Sequence, residues 1–148
     1  MKYYDIPNGI SITHDGDLPA RSGIGSSSSF TVGLINAIRS YLKLRKITEH
    51  ELALEAINIE HNHICESVGV QDQIMAAYGG VRVIELSGAN INVRKLNVSN
   101  EYLNEFESHV LLGFSGIDRL SSVHAKEQIE SIKQGKSEKL LEEITSIT

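Results

Sequence analysis

Three features of this 148-residue chain could do chemistry: a Gly/Ser-rich segment at 19–29 and two carboxylates, Glu60 and Asp72. The segment reads Pro19-Ala20-Arg21-Ser22-Gly23-Ile24-Gly25-Ser26-Ser27-Ser28-Ser29, and it leads into Phe30, Leu34, Ile38 and Tyr41, whose recurrence predicts a helix. Glycines let backbone N–H groups approach an anion closely. A following helix offers free N–H groups and the positive end of its dipole, and serine hydroxyls bond phosphate oxygens or complete a Mg²⁺ shell. That is the chemistry of a phosphate cradle. The same residues suit a plain Gly/Ser turn whose serines cap the helix, and the segment alone does not separate the two readings.

Ala53, Ile57, Glu60 and Ile64 stand 4, 3 and 4 residues apart, which places them on one helix face. Glu60 therefore interrupts an apolar stripe, where a bare carboxylate is costly. It needs a strong donor or a cation; Mg²⁺ and a basic side chain both qualify. Twelve residues later, Asp72 opens a short predicted helix within Gly69-Val70-Gln71-Asp72-Gln73, placed either to cap it or to accept a proton. His61 and His63 point to different sides of a helix, so they are read as helix histidines and not as a shared zinc site. Cys65 is read as a small core residue.

Other phosphate motifs fail on inspection. Gly135-Lys136-Ser137 has the tail of a P-loop, but Glu130 stands where its first glycine belongs. A dinucleotide fingerprint starting at Gly23 would need glycine where Ser28 stands. No His-Arg-Asp or Asp-Phe-Gly run marks a protein kinase.

The elements that must position these residues follow from pattern. Residues 9–14 alternate apolar and polar and predict a strand, turned by Asp15-Gly16-Asp17. Thr48 and Glu51 form a capping box that starts a second helix, running to about Cys65. A turn at Val68-Gly69-Val70 precedes a helix at 71–78 that Gly79-Gly80 ends. Strands are predicted at 81–86, 91–96 and 109–114, and amphipathic helices at 122–134 and 138–147, separated by Gly135. The stripe of Leu140, Leu141, Ile144 and Ile147 calls for a partner surface, on this domain or on another.

Composition bounds the rest. Lys and Arg total 14 against 19 Asp and Glu, a net charge of −5 that does not suit broad nucleic-acid binding. Hydrophobic residues at 41%, with 12 glycines, describe an ordinary globular chain and exclude a collagen-like or disordered one. No apolar run reaches transmembrane length, and Lys2-Tyr3-Tyr4-Asp5 after Met1 begins no signal peptide, so no membrane partner is expected. A single cysteine points to a reducing, cytoplasmic setting.

Taken together, Pro19 through Ser29, Glu60 and the Val68–Gln73 run resemble the GHMP kinases, whose central motif is Pro-x-x-x-Gly-Leu-Gly-Ser-Ser-(Ala/Ser)-(Ala/Ser), here with Ile24 for leucine. The run from Asp17 to Phe30, with Ile59-Glu60 and Ala76-Ala77-Tyr78-Gly79-Gly80, looks most like the heptose 7-phosphate kinase branch. The resemblance implies an α+β fold with a ribosomal-protein-S5-like N-terminal part at 1–107 and the start of a C-terminal domain at 108–148. It implies that Pro19, Arg21, Ser22, Gly23, Ile24, Gly25, Ser26, Ser27 and Ser28 surround ATP. Ser27, with Ser26 or Ser28 as alternatives, and Glu60 would hold Mg²⁺, and Asp72 would be the base for an attacking sugar hydroxyl. The substrate implied is a sugar or sugar phosphate, first a heptose 7-phosphate taken at O1, with a fucose- or galactose-type kinase or a catalytically incomplete nucleotide-binding fragment as the alternatives. Family members are longer and carry N- and C-terminal motifs not found here. The chain is thus expected to be an internal portion of such a kinase, with surfaces open to self-association or to pairing with another chain.

Overall fold

Gly25 stands at φ 72° and ψ 19°, a left-handed conformation open to glycine, and the chain turns there into helix α1, Ser26–Tyr41. The computed structural model describes residues 3–7, 9–17, 23–88, 90–113 and 121–147. Helix α2, Glu49–Asn58, begins at the expected capping box: the Glu51 N–H donates to Thr48 Oγ1 at 3.2 Å, and the Thr48 N–H donates to a Glu51 oxygen at 2.8 Å. The helix then widens into one π-helical turn, Ile59–His63, where the Ile64 N–H reaches back to the Ile59 carbonyl at 2.9 Å. Helix α3, Gln71–Tyr78, ends at Gly79. Strands β1, Arg82–Ser87, and β2, Asn90–Lys95, form an antiparallel hairpin in which Arg82 opposes Lys95 and Ser87 opposes Asn90. Helices α4, Asn100–Ser108, α5, Ser121–Lys133, and α6, Glu138–Ile147, follow. The described residues are α+β, as expected from the sequence.

The core lies among α1, α2 and α3. Val32 and Ile35 from α1 meet Leu52 and Ala56 from α2, and Ala76 and Ala77 of α3 pack against them. Each aliphatic side chain fully withdrawn from water contributes about 1.5–3 kcal/mol. Polar ties lie beside this core. Arg39 of α1 bonds Glu55 of α2 at 3.0 Å and also donates to the Arg45 carbonyl at 3.2 Å. The buried Tyr4 hydroxyl donates to the same Glu55. Burial first, and then that carboxylate, push the Tyr4 phenol well above its ordinary range. Past Gly79, Arg82 donates to the carbonyls of Gly79 and Tyr78 at 2.8 and 3.1 Å, fastening the hairpin to the end of α3.

Several expectations are corrected. Residues 9–14 form no strand; they are exposed where described, and among the described residues the hairpin is the one sheet. Alternation supplies propensity, but a strand exists only by pairing. Residues 110–113 are irregular too, and 114 lies outside the described residues. Helix α4 was not anticipated, although Ser99 caps it by accepting from the Tyr102 N–H at 3.2 Å. In α1 the buried face is Ser28, Val32, Ile35 and Ile38, whereas Phe30 and Tyr41 are exposed. Ile64 is exposed because the π-turn shifts the helical phase before it is reached. Cys65 is exposed at φ 61°, not in the core. Neither α4 nor α6 buries a residue, and Leu140, Leu141, Ile144 and Ile147 are exposed.

Glu51 gives this fold a pH signature. The Arg45 guanidinium, and after it the Thr48 backbone N–H, bond the ionised carboxyl and draw it from the ordinary 4.5 down to about 2. Its folded value lies below its unfolded one, so its contribution to stability is complete above pH 4.5 and fades as the pH falls towards about 2. Thermal melts across that window should slope more steeply in the wild type than in Glu51→Gln. A carboxyl ¹³C titration midpoint near the ordinary value would contradict this.

Candidate functional site

The Gly/Ser segment, Glu60 and Asp72 meet in space. In α1 the first backbone bond runs from the Ser29 N–H to the Gly25 carbonyl at 3.0 Å, so the N–H groups of Ser26, Ser27 and Ser28 have no partner within the helix. Gly25 has no side-chain cap behind it. The start of α1 is therefore a cluster of donors at the positive end of a four-turn helix, suited to an anion. Gly23, at φ 77°, and Gly25 turn the backbone into this position.

Asp72 lies against the turn. A Cβ placed on Gly25 would come within 3.3 Å of Asp72 Cγ and 3.4 Å of Oδ2, so glycine at 25 is what lets the carboxylate sit there. Asp72 is exposed, in the first turn of α3, but it is not the cap. The cap position is Val70, whose N–H is bonded by Gln71 Oε1 at 3.1 Å. Among the described residues Asp72 has no hydrogen-bond partner.

Glu60 is 1% exposed. Its two donors are neutral: Ser28 Oγ at 3.2 Å, and the Nε2 of Gln73. Both reach the same oxygen, Oε2; the other, Oε1, is buried with no hydrogen-bond partner among the described residues. Among the described residues no basic side chain, the alternative expected for Glu60, is one of its partners. The free carboxylate oxygen with a serine hydroxyl beside it is a donor set of the kind a hard divalent cation takes. Among the described residues no group of three or more His, Cys, Asp or Glu could by itself hold a metal.

The remaining expected residues fall out as follows. Ser28 is the serine brought to Glu60, whereas Ser27 is exposed and Ser26 half-buried. Ile24 is exposed beside the turn. Pro19, Arg21 and Ser22 lie outside the described residues. His61 is half-buried and bonds the Val68 carbonyl through Nε2 at 2.9 Å, which fastens the loop leading to α3. His63 stacks edge-on against Tyr3 with ring centroids 4.8 Å apart.

Two parts of the site were missed in the sequence. Gln73 was passed over, although it stands four residues before the core-packed Ala77 and so shares its face. The second is a groove of about 610 Å³ between residues 12–17 and α1, lined by Ile12, His14, Asp17, Ile24, Phe30 and Leu34 among others. His14 and Phe30 meet edge to face within it, centroids 4.7 Å apart. The Phe30 and Leu34 spacing predicted the helix but carried no sign that these two residues line a cleft.

Two comparisons with known proteins find sequences similar to this chain. The family model described as the GHMP kinases N terminal domain matches residues 1–80. A D-glycero-alpha-D-manno-heptose 7-phosphate kinase of Campylobacter jejuni subsp. jejuni serotype O:2 is 35% identical over 144 residues, 95% of this chain. The chain spans 41% of the length of that curated relative. No solved structure matches the chain.

Gly25→Ala should separate backbone from side-chain effects at this site. The left-handed conformation costs a non-glycine residue about 1–2 kcal/mol. The added methyl must also push the Asp72 carboxylate aside. A lowered melting temperature with a shifted Asp72 carboxyl resonance is expected; an unmoved resonance would mean that the two residues are not in contact.

Proposed function

Because the chain belongs to the GHMP kinases, we propose that it serves the ATP- and Mg²⁺-dependent phosphorylation of a sugar or sugar phosphate, the acceptor being O1 of D-glycero-D-manno-heptose 7-phosphate. The observation that carries this reading is the contact of Asp72 with Gly25. It sets an exposed carboxylate without a described partner directly against an anion-binding helix start. The 35% identity to a heptose 7-phosphate kinase supports the choice of acceptor. A ribosomal-protein-S5-like arrangement of the N-terminal part and a cytoplasmic setting belong to the same reading. So does pairing with another chain through the exposed apolar residues of α6. Among the described residues no helix is long and apolar enough to cross a membrane.

The chemistry follows from the residues. The backbone N–H groups of Ser26, Ser27 and Ser28 receive the phosphate oxygens of ATP, and the groove along Phe30 and Leu34 takes the nucleoside. Its volume of about 610 Å³ falls within the range of about 300–1,000 Å³ usual for ligand sites. Asp72 accepts the proton of the sugar hydroxyl as its oxygen bonds the γ-phosphorus and the bond from that phosphorus to the β-phosphate oxygen breaks, releasing ADP. Glu60 through Oε1, with the hydroxyl of Ser28 or Ser27, would hold Mg²⁺. When bound, the cation supplies neutralisation of charge on the phosphate oxygens. Positioning and charge stabilisation are most of what phosphoryl transfer requires of a protein.

A second reading is nucleotide binding without turnover, which the unpaired N–H donors at the start of α1 support equally. The two divide on a melt and a transfer assay. At 100 times its dissociation constant, MgATP should stabilise the chain by about 2.7 kcal/mol. Glu60→Gln should lose that shift. Asp72→Asn should keep it while slowing transfer to a heptose 7-phosphate by about 10²–10⁴-fold. A shift without transfer in the wild type selects the second reading. No shift at all removes both.

A further inference from the structure

We infer that Gln73 is a positioning residue: its amide N–H fixes one oxygen of Glu60 and thereby reserves the other, Oε1, for a divalent cation. The inference rests on the kinase reading and assigns a part in it to a residue that touches neither substrate nor phosphate in that scheme. Gln73 is fully buried and Glu60 nearly so. The Gln73 Nε2 and the Ser28 hydroxyl converge on Glu60 Oε2, while Glu60 Oε1 and Gln73 Oε1 are the two buried side-chain oxygens without a hydrogen-bond partner among the described residues. A buried acceptor left unmet is expensive, and more so on a charged group. Such an atom in a native structure calls for a reason.

The residue type fits the task. Lysine or arginine at 73 would neutralise Glu60 and compete with a cation. An apolar residue would release Oε2 and let the carboxylate turn. A carboxylate would repel it. An amide donates without adding charge, so Glu60 keeps its full attraction for a cation and one fixed direction in which to exert it. Gln73 also follows Asp72 in α3, so the same bond ties the helix bearing Asp72 to the helix bearing Glu60.

The test uses Mn²⁺ as probe, alone and with ATP, followed by water-proton relaxation in the wild type, Gln73→Met and Gln73→Glu, with thermal melts to establish folding. Gln73→Met should melt cooperatively and bind Mn²⁺ with ATP about tenfold or more weakly, the loss usual when a group orienting a metal ligand is removed. Gln73→Glu should show a Mn²⁺ affinity that changes about tenfold more than the wild type's between about pH 6 and 8. Its protonated carboxyl donates as the amide does, and its ionised form repels Glu60. The nearest titratable groups along the chain, His61 and Asp72, are common to all three proteins, so the wild-type profile accounts for them. If Gln73→Met does not fold, the pH profile of Gln73→Glu decides. Wild-type affinity in Gln73→Met, or a Gln73→Glu profile parallel to the wild type's, overturns the inference and leaves the kinase reading standing. Absence of Mn²⁺ binding in the wild type, with and without ATP, removes the kinase reading and this inference together.

Discussion

A carboxylate withdrawn from water must be met by donors or by a cation, and Glu60 is withdrawn almost completely. That constraint organises the first half of the chain. Its donors come from two other elements, Ser28 from the first turn of α1 and Gln73 from the first turn of α3. The three segments bearing the cradle, the acidic group and Asp72 are therefore registered against one another through a single oxygen atom. The apolar core of Val32, Ile35, Leu52 and Ala56 draws the helices together, but dispersion has no direction. It is the polar contact that fixes which residues of α1 and α3 stand beside Glu60.

Helix α1 is used on two sides. Val32, Ile35 and Ile38 face the core, while Phe30, Gly33, Leu34 and Ala37 border the groove. Such a helix cannot hold one clean apolar stripe, because both sides demand apolar residues. Spacing alone therefore predicts the helix but not which of its residues face the core and which the groove. The stretch from 9 to 14 differs for another reason: its alternation is real, but among the described residues no strand pairs with it.

The local signals were the legible ones. The Thr48–Glu51 capping box, the helix closed by Gly79 and the hairpin around Gly88 depend on near neighbours, and all are where spacing put them. Glu60 was legible as an anomaly, a charge on an apolar stripe, but its partners were not. They lie 32 and 13 residues away in sequence, and nothing local indicates a contact made through the fold. The serine facing Glu60 was likewise settled by helical phase: Ser28 shares the buried face with Val32 and Ile35, and Ser27 does not.

The π-turn at Ile59–His63 changes what spacing in the sequence can tell at this place. A π-turn is an α-helical turn holding one residue more than the regular repeat. The widened turn absorbs that residue, so the chain beyond it keeps nearly the direction of an unbroken helix while the numbering runs one step, about 100°, ahead. Faces counted across the turn therefore come out one residue wrong, and the exposed Ile64 is where this shows. The loop that His61 fastens to Val68 leaves from this widened turn and carries the chain on to α3.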